Sequence, residues 1–134
     1  MKVIDPGHEY LLDSLDGPCE NRLVFVKREG EKYPGNVGRH AGTTLQEVLR
    51  ALLHRARYVN GQQPCRETEF AIRYLKETIY LFEMRAARLH GRPCPGYEDA
   101  ANGTGKCPHC GHVGCPGCQS NPHLGLEALP PLED

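Results

Sequence analysis

The chain has 134 residues, of which 25% are charged, and its formal net charge at pH 7 is -1. A chain of this size forms one modest domain with an appendage, and its near-neutral charge argues against a general nucleic-acid binder, which is usually clearly basic. The chain contains no apolar run near the roughly 18 residues that a membrane-spanning helix needs.

The first seven residues lack the apolar segment of a signal peptide, so we expect the protein to stay in the cytoplasm where it is made. Thiols are kept reduced in that compartment. The seven cysteines are therefore expected to be metal ligands or packing residues rather than disulfides.

The N-terminal 42 residues are rich in Gly and Pro and contain two strand-like stretches. Residues 8–12 alternate loosely between polar and apolar side chains. Residues 22–28 have a β-branched and aromatic centre between charged ends, which is typical of a strand. A glycine-rich loop is predicted over residues 33–42.

A first helix is predicted after this loop, because Thr44 and Glu47 form a capping box. Arg50 lies on its polar side, and the helix is expected to end near Asn60-Gly61 in a left-handed stop. The apolar stripe follows steps of three and four: Leu45, Val48, Leu49, Leu52, Leu53, Ala56 and Val59.

A second helix is predicted from about Arg66 to about His90, ended by Gly91 and Pro93. Its apolar residues form a heptad seam of Ile72, Leu75, Ile79, Phe82, Ala86 and Leu89. The short connection between the helices predicts an antiparallel hairpin. The predicted fold class is thus α+β, with short N-terminal strands and a long two-helix hairpin in residues 1–92.

The second helix has apolar surface beyond its seam, since Tyr74 and Leu81 lie beside it. We expect a second subunit to cover this surface, because a lone hairpin cannot bury both of its apolar faces. The alternative is a monomer in which the N-terminal strands fold over the hairpin.

Residues 93–134 are rich in Pro and Gly and show no amphipathic period, so they are predicted to be a tail, with a linker over residues 96–106. The tail contains two CxxC pairs separated by four residues: Cys107, Cys110, Cys115 and Cys118. Four thiolates satisfy tetrahedral zinc, and a fully coordinated site would be structural. The alternatives are a histidine replacing one cysteine (His109, His112 or His123), an iron–sulfur cluster, or a thiol-rich tail without metal.

A second candidate site is the glycine-rich loop that leads into the first helix. Free backbone N–H groups at a helix N-terminus favour phosphate, and Arg39 and His40 add charge. Lys27 and Arg28 end the preceding strand. The pattern matches neither a P-loop nor a dinucleotide fingerprint, and a simple turn before a capped helix is the plain alternative.

Several segments in this order resemble phage proteins with the anti-CBASS/anti-Thoeris helical-hairpin domain. They are residues 25–30 (FVKREG), 33–36 (YPGN), 42–52 (GTTLQEVLRAL), 63–67 (QPCRE) and 83–92 (EMRAARLHGR). The resemblance covers about residues 8–92, and the cysteine tail departs from the short members of that family.

The resemblance implies a homo-oligomer, often a hexamer, that traps cyclic nucleotide signals of bacterial immunity in the cytoplasm of the infected host. Cyclic oligonucleotides and cyclic ADP-ribose isomers are the implied ligands, and they are sequestered without cleavage. The predicted ligand-binding residues are chosen from the sequence, and the resemblance supports the choice. They are Lys27, Arg28, Thr43 and Thr44, with Arg85 and Arg88 from a neighbouring subunit.

Two other hypotheses compete with sequestration. In the first, the cysteine tail is a zinc-dependent adaptor and the hairpin only oligomerises it. In the second, the protein is a phosphodiesterase for the same ligands. The sequence disfavours catalysis, because no HxxE, HxH or paired carboxylate cluster offers a catalytic metal site. Asp13 and Asp16 resemble a carboxylate pair, but Asp16-Gly17 is more simply a turn. Neither a membrane nor polymeric nucleic acid is an expected partner.

Overall fold

The computed structural model describes residues 1–17, 20–28 and 39–105. These residues form two compact units, one of β-structure up to Leu45 and one of helices from Gln46 onwards. The class is mixed, with a three-stranded antiparallel sheet and two long helices, so the predicted combination of N-terminal strands and long helices is confirmed at that level.

The three-stranded sheet comprises β1 (Lys2–Asp5), β2 (Glu9–Leu12) and β3 (Asn21–Val24), paired antiparallel in that order. Strand β2 matches the predicted strand at residues 8–12, whereas β1 was not predicted. Gly7, with φ 81°, allows the tight turn between β1 and β2. The sheet is thus a short meander stabilised by contacts between strands that are neighbours in sequence.

The predicted strand over residues 22–28 is interrupted. Strand β3 ends at Val24, Phe25 forms an isolated bridge, and the next strand is β4 (Lys27–Arg28). The interruption arises because Thr43 bonds to this stretch: its N–H donates to the Val24 carbonyl at 2.8 Å, and its carbonyl accepts from the Val26 N–H at 2.9 Å. Beyond Val26, β4 pairs with β5 (Arg39–His40) in a separate two-stranded ribbon.

The long helices are α1 (Leu45–Gln62) and α2 (Arg66–Leu89). Helix α1 starts where the capping box predicted and ends close to the predicted Asn60-Gly61, but the predicted left-handed stop is wrong, because Gly61 remains inside the helix. Helix α2 matches its predicted bounds, and Gly91 follows it with φ 61°. An ion pair between Arg50, early in α1, and Glu83, late in α2, shows that the two helices run antiparallel.

The heptad seam of α2 faces the interior, as its spacing predicted. Leu53 of α1 packs with Ile79 of α2, and both side chains are almost fully buried. Leu49, Ile72 and Leu75 surround this pair. The core formed by the described residues of the helical unit, 46–105, is therefore small, so each of its contacts contributes a large share of the stability.

A third helix, α3 (Tyr97–Asn102), lies where the sequence predicted a linker. Ala100 and Ala101 are buried, and Ala101 joins the cluster of Leu53 and Ile79. The Tyr97 ring meets the Tyr80 ring edge-on at 5.4 Å. Residues 97–102, which lie within the tail predicted over residues 93–134, thus belong to the helical core, while residues 106–134 lie outside the described residues.

In residues 45–105, which contain all three described helices, none of the helices has both the length and the apolar character needed to cross a bilayer.

Candidate functional site

Four basic residues occupy paired backbone positions in the two-stranded ribbon of the β-unit. In its antiparallel register, Lys27 lies opposite His40 and Arg28 lies opposite Arg39. The register therefore brings Lys27 and Arg28, both predicted as ligand-binding residues, next to two further basic residues along the backbone.

The backbone around Thr43 fixes the chain that leads out of this ribbon. Thr43 forms a parallel bridge with Phe25, two residues before Lys27. Gly42 allows this close approach, since a Cβ atom there would lie 2.5 Å from the Val26 nitrogen. The structure thus places Lys27, Arg28 and Thr43, all predicted as ligand-binding residues, on two neighbouring backbone segments of one unit.

Thr44 directly precedes α1 and is exposed to solvent. It too is in the β-unit, one residue beyond the Thr43 bridge. Most of the glycine-rich loop predicted before it, residues 29–38, lies outside the described residues. Of the predicted anion site, the structure therefore describes the ribbon residues and the threonine pair but not the loop between residues 28 and 39.

The two predicted arginines from the helical unit lie in the last part of α2. Arg85 is half-buried and interacts with neighbouring groups, whereas Arg88 is exposed in the last turn. They belong to a different compact unit from Lys27 and Arg28. Their assignment to a ligand from a neighbouring subunit stays a prediction.

Arg50 is predicted on the polar side of α1, but its side chain is only 10% exposed. Its guanidinium donates to a Glu83 carboxylate oxygen at 2.8 Å and to the Ala100 carbonyl at 2.9 and 3.1 Å. The cause is α3, which packs against this side of α1. Arg50 is thus a structural residue that joins all three helices, and it is not available to a ligand.

Other polar contacts tie α3 to α2. Lys76 donates to Glu98 at 2.7 Å and lies over the Tyr97 ring. The pKa of Tyr80 is raised above its usual value, chiefly by its side-chain hydrogen bond with Cys94 and then by the electrostatic interaction with that side chain. These contacts support helix packing.

The three-stranded sheet carries an open groove of about 490 Å³. Its charged lining residues are Lys2, Asp13 and Glu20. The lining therefore carries more negative than positive charge. Such a groove disfavours phosphate, and it includes none of the predicted ligand-binding residues. The ribbon is the better candidate for an anion.

The predicted zinc ligands Cys107, Cys110, Cys115 and Cys118 lie outside the described residues. Within residues 1–17, 20–28 and 39–105, no three His, Cys, Asp or Glu side chains cluster as metal ligands. Cys65 and Cys94, both among those residues, carry free thiols. The zinc site therefore stays a prediction that rests on the spacing of the four cysteines.

No protein family model, curated protein or solved structure matches this chain. Its resemblance to the phage hairpin proteins therefore rests on the sequence segments quoted above.

Proposed function

We propose that this protein binds and sequesters a cyclic nucleotide signal of bacterial immunity, in the cytoplasm of the infected host, without cleaving it. The observation that carries the proposal is the register of the basic ribbon, with Lys27 opposite His40 and Arg28 opposite Arg39. Phosphate oxygens are strong acceptors for such groups, and arginine can bind them through two hydrogen bonds.

In this proposal, Lys27 and Arg28 bind phosphate, with Thr43 and Thr44 as hydroxyl donors. Arg85 and Arg88 from a neighbouring subunit complete the site in a homo-oligomer, which the family resemblance makes a hexamer. Sequestration works through affinity and stoichiometry alone. It requires no general acid or base, in keeping with a sequence that has no catalytic carboxylate pair.

The cysteine tail would hold one structural zinc ion in each subunit and would not contribute to catalysis. The competing hypothesis, a zinc-dependent adaptor, assigns binding to this tail instead of the ribbon. Removal of zinc should abolish partner binding under the adaptor hypothesis. Under the sequestration hypothesis, it should leave nucleotide binding unchanged.

The first experiment is native mass spectrometry of the full chain with a panel of cyclic di- and trinucleotides and cyclic ADP-ribose isomers. We expect an oligomer that carries intact nucleotide, recovered chemically unchanged after heat release. A released product of altered mass would instead indicate a phosphodiesterase. A zinc-bound protein that retains no nucleotide would favour the adaptor hypothesis.

The residue-level test is the double variant Lys27→Glu/Arg28→Glu. Hydrogen bonds to charged groups contribute about 1.5–3 kcal/mol each, so losing two should weaken nucleotide binding by roughly a hundredfold or more while leaving assembly intact. The matched control, Arg55→Glu/Arg73→Glu, makes the same charge change at exposed positions of the long helices and should bind normally. Unchanged affinity in the ribbon variant would remove the ribbon from the proposal.

A further inference from the structure

Helix α2 carries a second heptad row in addition to the seam that faces the hairpin core. Its positions follow steps of three and four along almost the whole helix. The row consists of Glu67, Phe70, Tyr74, Glu77, Leu81, Met84 and Arg88. Residues in such a row share one side of a helix, and this spacing is the one by which helices pair with one another.

The apolar members of this outer row face solvent. Tyr74 is 61% exposed and Leu81 is 63% exposed, while Phe70 and Met84 are 40% and 42% exposed. The rings of Phe70 and Tyr74 stack with their centroids 6.3 Å apart, which makes a continuous aromatic surface near the start of the helix. A helix side that only contacts water is normally polar, so this row is typical of a surface that another helix covers.

We propose that the outer row pairs with the same row of a second copy of this chain, with the two α2 helices antiparallel across a two-fold axis. The charges at the ends of the row determine the direction. A parallel pair would place Glu67 beside Glu67 and Arg88 beside Arg88. An antiparallel pair places Glu67 opposite Arg88 of the partner subunit, so that both ends are complementary.

The same two-fold axis matches the apolar positions. Tyr74 lies seven residues after Glu67, and Leu81 lies seven residues before Arg88. Pairing the charged ends therefore sets Tyr74 against Leu81 of the partner subunit, and a large ring meets a smaller branched side chain at two equivalent places. The surface is therefore complementary at these two positions and at its charged ends, while Glu77, ion-paired with Arg73 in its own helix at 3.5 Å, lies next to its own copy at the axis.

The area is sufficient for a core of such an interface. Aromatic side chains offer about 150–250 Å² each, so the four exposed apolar residues provide roughly 400 Å² per subunit. A standard interface covers about 800 Å² per partner, and the flanking polar residues of α2 would supply the remainder as its rim. The pairing rests on the self-association that the proposed function includes, but it requires no nucleotide.

The test is the mass of the full-length, nucleotide-free chain, measured by sedimentation velocity and native mass spectrometry. Leu81→Glu would place a carboxylate against apolar side chains, so association should weaken at least about tenfold while helical circular dichroism is unchanged. Leu15→Glu is the matched control, because Leu15 is 96% exposed on the β-unit. The number of subunits in its assembly should equal that of wild type. A monomeric wild type, or an unchanged mass for Leu81→Glu, would overturn the pairing and indicate that the row is covered within its own chain or left bare.

The orientation has its own test in charge exchange. Glu67→Arg and Arg88→Glu should each weaken association, because each creates like charges across the axis, and the double variant should restore it. Failure of the double variant to restore association would overturn the antiparallel arrangement.

Nucleotide retention, measured in parallel on the wild type and the Lys27→Glu/Arg28→Glu variant, separates the two proposals. Assembly that depends on Leu81 in a chain that retains no nucleotide from the panel would support the pairing and contradict sequestration. Retained nucleotide in a chain whose assembly is unchanged by Leu81→Glu would support sequestration and contradict the pairing.

Discussion

Replacing Arg50 by Met tests whether the Arg50 side chain joins the three helices. The Arg50 and Glu83 side chains are only 10% and 6% exposed, so the substitution leaves a carboxylate buried without its partner. Removing one member of a buried pair typically costs about 3–5 kcal/mol. The Ala100 carbonyl also loses its donor, and an unsatisfied buried acceptor costs about 1–3 kcal/mol.

We therefore expect Arg50→Met to lower the free energy of unfolding by at least about 3 kcal/mol, a large part of the 5–15 kcal/mol of a typical domain. The measurement is urea unfolding of the full chain followed by helical circular dichroism. Arg57→Met is the control, because Arg57 is exposed and its bond to Asn102 is long, at 3.4 Å.

A double variant separates the ion pair from the lost carbonyl bond. Arg50→Met/Glu83→Met removes both charges, and apolar replacements of buried pairs are often nearly neutral. Its stability should recover most of the loss, with the Ala100 carbonyl accounting for the remainder. A change below about 1 kcal/mol for Arg50→Met, equal to that for Arg57→Met, would refute this account of the core.

Two further predictions concern the β-unit and the tail. Gly42→Ala should weaken nucleotide binding, because the new Cβ would lie 2.7 Å from the Phe25 carbonyl oxygen and force apart the backbone beside the ribbon. Gly61→Ala, which meets nothing within 4 Å, should bind normally and stabilise α1 by up to about 1 kcal/mol; equal calorimetric affinity in both variants would contradict the role of Gly42. Elemental analysis should find one zinc per subunit, reduced in Cys107→Ser. Chelation should leave helical circular dichroism intact; a large helical loss would show that zinc supports the hairpin.

The two long helices could be predicted because their signals are local. The Thr44–Glu47 capping box precedes the observed start of α1, and the heptad seam around Ile79 identified the buried side of α2. The Asn60-Gly61 pair misled, since a glycine can remain in a helix when the following residues continue it. Pro64 is the stronger local signal, because the residue before a proline disfavours helical backbone.

Helix α3 could not be predicted, because its six residues show no amphipathic period and its stability comes from distant partners. Arg50 lies 50 residues away from Ala100, to which it donates. The ribbon posed the same difficulty: the basic pairs at residues 27–28 and 39–40 are far apart, and only their register shows that they are opposed. Two basic dipeptides flanking a Gly- and Pro-containing stretch were the available signal for a hairpin.

The docking of α3 changes where this chain can be shortened. A fragment that ends at residue 92, after the apparent hairpin, would lack Ala101 and expose the Leu53–Ile79 contact to water. It would also leave the Arg50–Glu83 pair without its cover. Such a fragment is expected to aggregate or to be cut by proteases. A fragment that ends after Gly105 retains every described helix and is the form in which the hairpin can be separated from the cysteine tail.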